Sequence, residues 1–355
     1  GSYRSCSRHA GGVVVGEKLN QFMPLISSKG VRQTPWSEGQ NVRQLEPLGF
    51  IKFDILGLST LRMIEGCIER VLKKQGNPNP SFDQVKAFYD EFLHPDKIDL
   101  NNEDIYENIF HEGKWAGIFQ FTEKGAQDFA KRAQPNSIID IAAITSIYRP
   151  GPLSAGVDKQ YVAAINDTLS IEYLHPLVEE VTKETYGFLI FQEQIAMLAY
   201  KLGENISMDE ANLLRKVLTK KGTGKGHEVK EEIKKKFLVG CDKKEIPRED
   251  AEKLWATFEY FSGYGFNKSH AVSYSIISFQ CAWLYNFYPS EWMCSFLDRE
   301  PDSRKEKAIN IAKSHGFSIG DININLSGES WEVASGSQLV APLTTIKGLG
   351  DKAIE

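Results

Sequence analysis

The segment from Ala271 to Tyr288 limits the fold of this chain more than any other. It is apolar on most positions and meets no Pro or Gly before Pro289. A periodic apolar run of that length reads as one helix, and a helix with so little polar surface is mostly buried. The chain enters it through Gly263-Tyr-Gly-Phe-Asn-Lys-Ser-His270, a tight Gly-rich turn that delivers Asn267, Lys268, Ser269 and His270 to the helix start. The first turn of a helix offers unpaired backbone N–H groups and the positive end of the dipole, and here a Lys and a His stand beside them. That arrangement suits a phosphate-bearing ligand. The same residues suit an ordinary N-cap, with His270 a satisfied core histidine.

At 355 residues the chain is long enough for at least one large core and for two or three sub-domains. Its 41% hydrophobic and 25% charged content match a soluble globular protein, and no apolar run reaches bilayer length. Cys6, Cys67, Cys241, Cys281 and Cys294 are odd in number and lack CxxC spacing. That pattern points to a reduced compartment without structural zinc. A net charge of −5 carries no global nucleic-acid signature. The cations are unevenly spread, with one basic region running from Arg215 and Lys216 through Lys220, Lys221, Lys225 and Lys230 to Lys234–Lys236. Because Glu231 and Glu232 interrupt it, a solvated helix face competes there with a basic groove.

Residues 1–60 read as strands and turns, with strands over His9–Val15 and Phe50–Leu56 and a helix starting at Leu58 or Ser59. From there to about 300 the pattern is helical, over 82–92, 103–111, 122–133, 137–147, 190–202, 208–219, 228–240, 248–261, 268–286 and 289–298. One more helix (304–315) and short strands near Trp331–Val333 and Gln338–Val340 follow.

Four constellations carry possible chemistry. Residues i and i+2 of a strand share a face, so Lys52 and Asp54 project together while Phe53 and Ile55 enter a core on the other side. Asp54 is then either a rigidly mounted metal ligand or half of a surface ion pair. On Leu213–Lys221, Arg215 and Thr219 share one face and Lys216 and Lys220 another. Those cations either meet phosphate oxygens or answer the helix dipole. Tyr148-Arg-Pro-Gly-Pro152 puts Arg149 at a rigid helix end, and Phe191-Gln-Glu-Gln194 caps an apolar helix with polar side chains.

In order, the chain contains HAGGVVV, GFIKFDILGLSTL, GIFQFTEKG, YRPGP, TYGFLIFQEQIAMLA, ANLLRKVLTKK and GYGFNKSHAVSYSIISFQCAWLYNFYPSEWM. This series resembles the C-family bacterial replicative DNA polymerases, the DNA polymerase III alpha subunits, over essentially the whole length. The resemblance implies an α+β fold: the end of a palm with the thumb junction (1–60), a large mostly helical fingers domain (61–300) and the start of a tandem helix-hairpin-helix region (301–355). For that last region Lys347-Gly-Leu-Gly-Asp-Lys-Ala353 is a match.

The resemblance further implies that Asp54 is a metal-binding palm aspartate of a two-Mg2+ site, with Lys52 beside it. Arg149, Arg215, Lys216, Lys220, Lys221, Asn267, Lys268 and His270 would line the fingers face that receives the incoming dNTP and the primer–template DNA. The family's other two catalytic carboxylates, from a PDxDxDF-type motif, do not occur here. The Gly-Ser phosphate loop, the PHP domain and the clamp-binding segment are missing too. The expectation is therefore a fragment or one piece of a split polymerase, inactive alone. A second polypeptide or an N-terminal region would complete it, possible partners include replisome proteins, and the setting is the cytoplasm of a bacterial or phage-infected cell. The alternative is a non-catalytic DNA-binding or assembly subunit of a replication complex.

Overall fold

The computed structural model describes residues 9, 11–28, 30–38, 42–218, 225–262, 265–346 and 348–349. The chain divides into two compact units, Gly1–Leu61 and Arg62–Glu355.

The first unit holds four short strands. β1 (Gly12–Val14), β2 (Ile26–Ser28), β3 (Val31–Gln33) and β4 (Lys52–Asp54) form two antiparallel pairs, β1 with β4 and β2 with β3. In the first pair Gly12 lies opposite Asp54 and Val14 opposite Lys52. Lys52 and Asp54 do share a face. The opposite face departs from expectation, because Phe53 is 49% and Ile55 73% exposed instead of entering a core. Alternation identifies the apolar side of a strand, whereas burial needs a layer to cover it. Ile51, Leu56 and Val15 are exposed as well.

α1 (Ser59–Lys74) opens the helical run. α2 (Phe82–Phe88) is started by a Ser81–Gln84 capping box and continues to Leu93 in wider turns. α3 (Glu103–Ile105) is extended in the same way to His111. Then come α4 (Lys124–Ala133), α5 (Ile138–Ile147), α6 (Pro150–Ser154), α7 (Val157–Ile165) and α8 (Pro176–Thr182). They are followed by α9 (Gln192–Leu202), α10 (Met208–Val217), α11 (Lys225–Lys243), α12 (Arg248–Ser262) and α13 (Lys268–Phe287). α14 (Pro289–Arg299) and α15 (Asp302–Ser314) precede the last sheet. That sheet has the order β5 (Ser318–Gly320), β7 (Gln338–Val340), β6 (Glu332–Ser335), with β5 parallel and β6 antiparallel to β7. The molecule is thus α+β and mostly helical.

Two cores organise the second unit. The larger surrounds α13, whose Phe279, Cys281, Ala282 and Leu284 are wholly enclosed, and it takes in residues of α1, α5, α14 and the last sheet. Several polar groups inside it find carbonyl partners: Ser278 Oγ donates to Phe119 O at 2.8 Å, Gln280 Nε2 to Leu93 O at 2.8 Å and Trp292 Nε1 to Ala116 O at 2.8 Å. Arg70, 8% exposed, donates to Gly66 O and Trp331 O and forms an ion pair with Asp298, so one guanidinium joins α1, α14 and the last sheet.

The smaller core lies among α8 to α12, around Phe237, Trp255, Phe258 and Leu202. Its closest approach depends on Gly240 of α11. A Cβ there would lie 2.2 Å from Leu202 O and 2.5 Å from Glu204 N, so only glycine lets α11 reach the end of α9.

Candidate functional site

The strand 52–54 carries the first set of predicted residues. Lys52 Nζ lies 3.1 Å from Asp54 Oδ1 and also donates to Glu38 O at 3.1 Å. His9 Nδ1 lies 3.9 Å from the same carboxylate oxygen and accepts the Gly11 N–H. Asp54 is 45% exposed and Lys52 17%. Among the described residues no group of three His, Cys, Asp or Glu side chains could hold a metal ion. One carboxylate with a lysine on it does not fit a Mg2+ site by itself.

The second set assembles where two helices begin side by side. Just before α9 and α13 the chain makes an isolated parallel bridge between Phe191 and Phe266. Phe266 N donates to Ile190 O at 3.1 Å and Gln192 N to Phe266 O at 2.9 Å. Gly265 permits this approach, since a Cβ there would sit 2.9 Å from Gln192 Cγ. Gln194 Oε1 accepts the N–H groups of Ile190 and Phe191, which fixes the entry to α9. The positive ends of α9 and α13 are thereby neighbours.

Cations converge on that point. Arg215 of α10 donates from Nη1 to Glu193 Oε1 at 3.0 Å. Asn267 Nδ2 donates to the same oxygen at 2.9 Å, and the Lys268 backbone N–H donates to Glu193 Oε2 at 2.9 Å. Lys268 Nζ pairs with Glu184 Oε1 at 2.6 Å and lies 5.8 Å from the Phe191 ring centre. The Arg149 guanidinium stands 4.8 Å over the Phe266 ring, and Arg149 Nε donates to Ser146 O at 2.8 Å. Burial pulls the Arg149 guanidinium below its ordinary pKa. His270 is exposed and belongs to a series of rings, 5.4 Å from Phe266 and 4.4 Å from Tyr274, which in turn stacks on Phe119 at 5.4 Å.

Arg149, Arg215, Asn267, Lys268 and His270 therefore form one cluster. Lys216 is exposed on α10, and Lys220 and Lys221 lie outside the described residues. One expectation needs correction. The first-turn donors of α13 are not all unpaired: Asn267 Oδ1 accepts the His270 N–H at 2.8 Å, and Glu193 takes the Lys268 N–H. The Asn cap and an acid on another helix have satisfied them from within the chain. The lysines of α11 are also less free than a solvated face, since Lys230, only 14% exposed, pairs with Glu259 and Lys236 pairs with Glu210. Glu184 and Glu193 were not among the predicted site residues. The one sequence signal for Glu193 was its position in the polar stretch that opens α9.

A family model described as the bacterial DNA polymerase III alpha subunit finger domain matches residues 67–245, just over half of the chain. The chain belongs to the DNA polymerase III alpha subunit family. It is 33% identical over 352 residues to DNA polymerase III subunit alpha of Treponema pallidum (strain Nichols), covering 98% of this chain and 28% of that protein. The corresponding protein of Aquifex aeolicus (strain VF5) is 33% identical over 355 residues, covering 99% of this chain and 28% of its own length. That of Caulobacter vibrioides (strain NA1000 / CB15N) is 32% identical over 361 residues, with 100% and 29% covered. The chain thus spans less than a third of the polymerase III alpha subunits it matches. Within it, the finger region contains Arg149, Glu184, Glu193 and Arg215, while Asn267, Lys268 and His270 come from the helix beyond. No helix among the described residues is long and apolar enough to cross a membrane.

Proposed function

We propose that this chain is the fingers, with the adjoining end of the palm, of a replicative DNA-directed DNA polymerase, and that the cluster at the starts of α9 and α13 receives the triphosphate of an incoming dNTP. The observation that carries this reading is the convergence of Arg215, Asn267 and the Lys268 N–H on a single anion, at two adjacent helix N-termini. Arg149 and the Lys268 ammonium add charge next to them, and the rings of Phe266, His270 and Tyr274 offer a face on which a base can stack. The reaction served is attack of a primer 3′-hydroxyl on the α-phosphate of the dNTP, directed by the template.

In this reading the chain's own residues position the triphosphate and neutralise its charge, which is most of what a protein contributes to phosphoryl transfer. Lys216, exposed on α10, meets primer–template DNA. Asp54 supplies one carboxylate toward magnesium, and the other ligands come from polypeptide outside the chain, because the donors on this strand are too few to hold an ion. The 355 residues alone therefore do not extend a primer.

The test is kinetic. In a full-length polymerase containing this chain, Arg215→Ala and Lys268→Ala should each raise the KM for dNTP about tenfold or more, the effect of losing a charge-assisted contact. Affinity for primer–template and its salt slope should change little. Weakened DNA binding with an unchanged KM for dNTP would overturn the assignment. A second reading, a non-catalytic DNA-binding or assembly subunit, is favoured by the Lys52–Asp54 ion pair, which already engages the strand's carboxylate.

A further inference from the structure

Glu193 occupies the focus of the cationic cluster, and nothing in the nucleotide reading gives it a role. Its carboxylate is held by three donors from separate places: the Arg215 guanidinium of α10, the Asn267 amide before α13 and the Lys268 main-chain N–H. These are the donor types that bind a phosphate oxygen, at distances between 2.9 and 3.0 Å. We propose that Glu193 is an internal stand-in for the triphosphate, holding the cluster together until a polyphosphate takes its place. The inference rests on the nucleotide reading above and adds to it a displaceable competitor.

Three further observations support the exchange. Arg149, Arg215, Lys268 and two helix N-termini are gathered at one place, and like charges so close repel unless anions stand among them. Glu193 and Glu184 are those anions, the second held on the Lys268 ammonium. Next, Arg215 is not saturated. Its Nε is buried and has no hydrogen-bond partner among the described residues, while a single oxygen of Glu193 engages Nη1. A guanidinium left with an unfilled buried N–H gains from an oxyanion that can use both edges. Finally, the Glu193 side chain is 36% exposed, so it can swing into water without leaving a buried charge behind. No covalent step is involved. One anion leaves the donors and another binds them.

A competitor and a brace predict opposite signs. Inorganic tripolyphosphate is titrated calorimetrically into the 355-residue chain at low salt, and into its Glu193→Gln variant. Removing one like charge a few ångströms from the anion should tighten binding by roughly five- to tenfold, given partial exposure. Glu184→Gln, which frees only the Lys268 ammonium, should tighten it by about two- to threefold. Measurable wild-type binding that Glu193→Gln leaves unchanged or weakens would sink the stand-in role while the nucleotide reading survives. No binding by the wild-type chain or either variant would remove both. A single-stranded oligonucleotide titrated in parallel separates the sources of phosphate: a gain for it as large as for tripolyphosphate would mean that Glu193 guards a DNA contact, and would overturn the proposal. If circular dichroism shows that Glu193→Gln has not folded, the Glu184→Gln titration decides, with unchanged or weaker binding counting against it.

Discussion

Asp298→Ala should unfold this chain far more easily than its place at the edge of a helix suggests. Asp298 is the counter-ion of Arg70, whose guanidinium is 8% exposed and otherwise donates, among the described residues, to the carbonyls of Gly66 and Trp331. It also accepts the Trp331 N–H at 2.9 Å. Removing one partner of a buried pair leaves an uncompensated charge and typically costs about 3–5 kcal/mol. Asp298 is 21% exposed, which allows water some access and favours the lower end of that range. Losing the acceptor for Trp331 adds about 1 kcal/mol. The sum is roughly 4 kcal/mol, read as a drop in the urea midpoint at constant slope. The double variant Arg70→Met/Asp298→Leu removes both charges and should recover most of that loss. A single variant costing under about 1 kcal/mol, or a double variant as unstable as the single one, would refute the reasoning.

Three other outcomes follow from the same structure. Gly240→Ala drives a methyl group into the backbone at Leu202–Glu204 and should cost about 2–3 kcal/mol in a melting experiment; a neutral result would mean that α9 and α11 are not so closely packed. Burial pushes the Asp140 carboxyl above the usual range, so above about pH 4 the folded state binds more protons than the unfolded one. Stability should then fall as pH rises through that window, and Asp140→Asn should remove this part of the pH dependence; an unaltered pH–stability curve would contradict it. In a full-length polymerase, Asp54→Asn should lower primer extension by about 10³-fold or more while DNA affinity holds, and near-normal extension would leave Lys52–Asp54 as a surface ion pair.

Much of the helical architecture was legible because its signals are local. α13 announces itself by an apolar run without Pro or Gly, and the helical pattern over 208–219 matches α10, Met208–Val217. The helices α6 and α8 were hidden for a local reason too. Each opens on a proline, Pro150 and Pro176, in a stretch where Pro and Gly read as breaks, although Pro is favoured at the first helical position. The exposed Phe53 and Ile55 mark another limit, since a pattern names an apolar face without naming its cover.

The candidate site was readable only in part. Asn267, Lys268 and His270 are neighbours in sequence, whereas Arg149 and Arg215 stood in separate constellations that only the family resemblance joined to them. Glu193 is 74 positions from Asn267 and 22 from Arg215, and no helical or strand spacing connects residues so far apart. The Phe191–Phe266 bridge that brings them together is a tertiary feature.

The central claim is that the triphosphate of an incoming dNTP sits at the starts of α9 and α13, against Arg215 of α10. The most direct measurement uses a full-length polymerase containing this chain, bound to primer–template and to a dNTP with a photoreactive group on its γ-phosphate. After irradiation and digestion, the label should map to peptides spanning 208–218 and 265–274, and unlabelled dNTP should compete it away. Competable labelling confined to other segments, with those two peptides unmodified, would contradict the account.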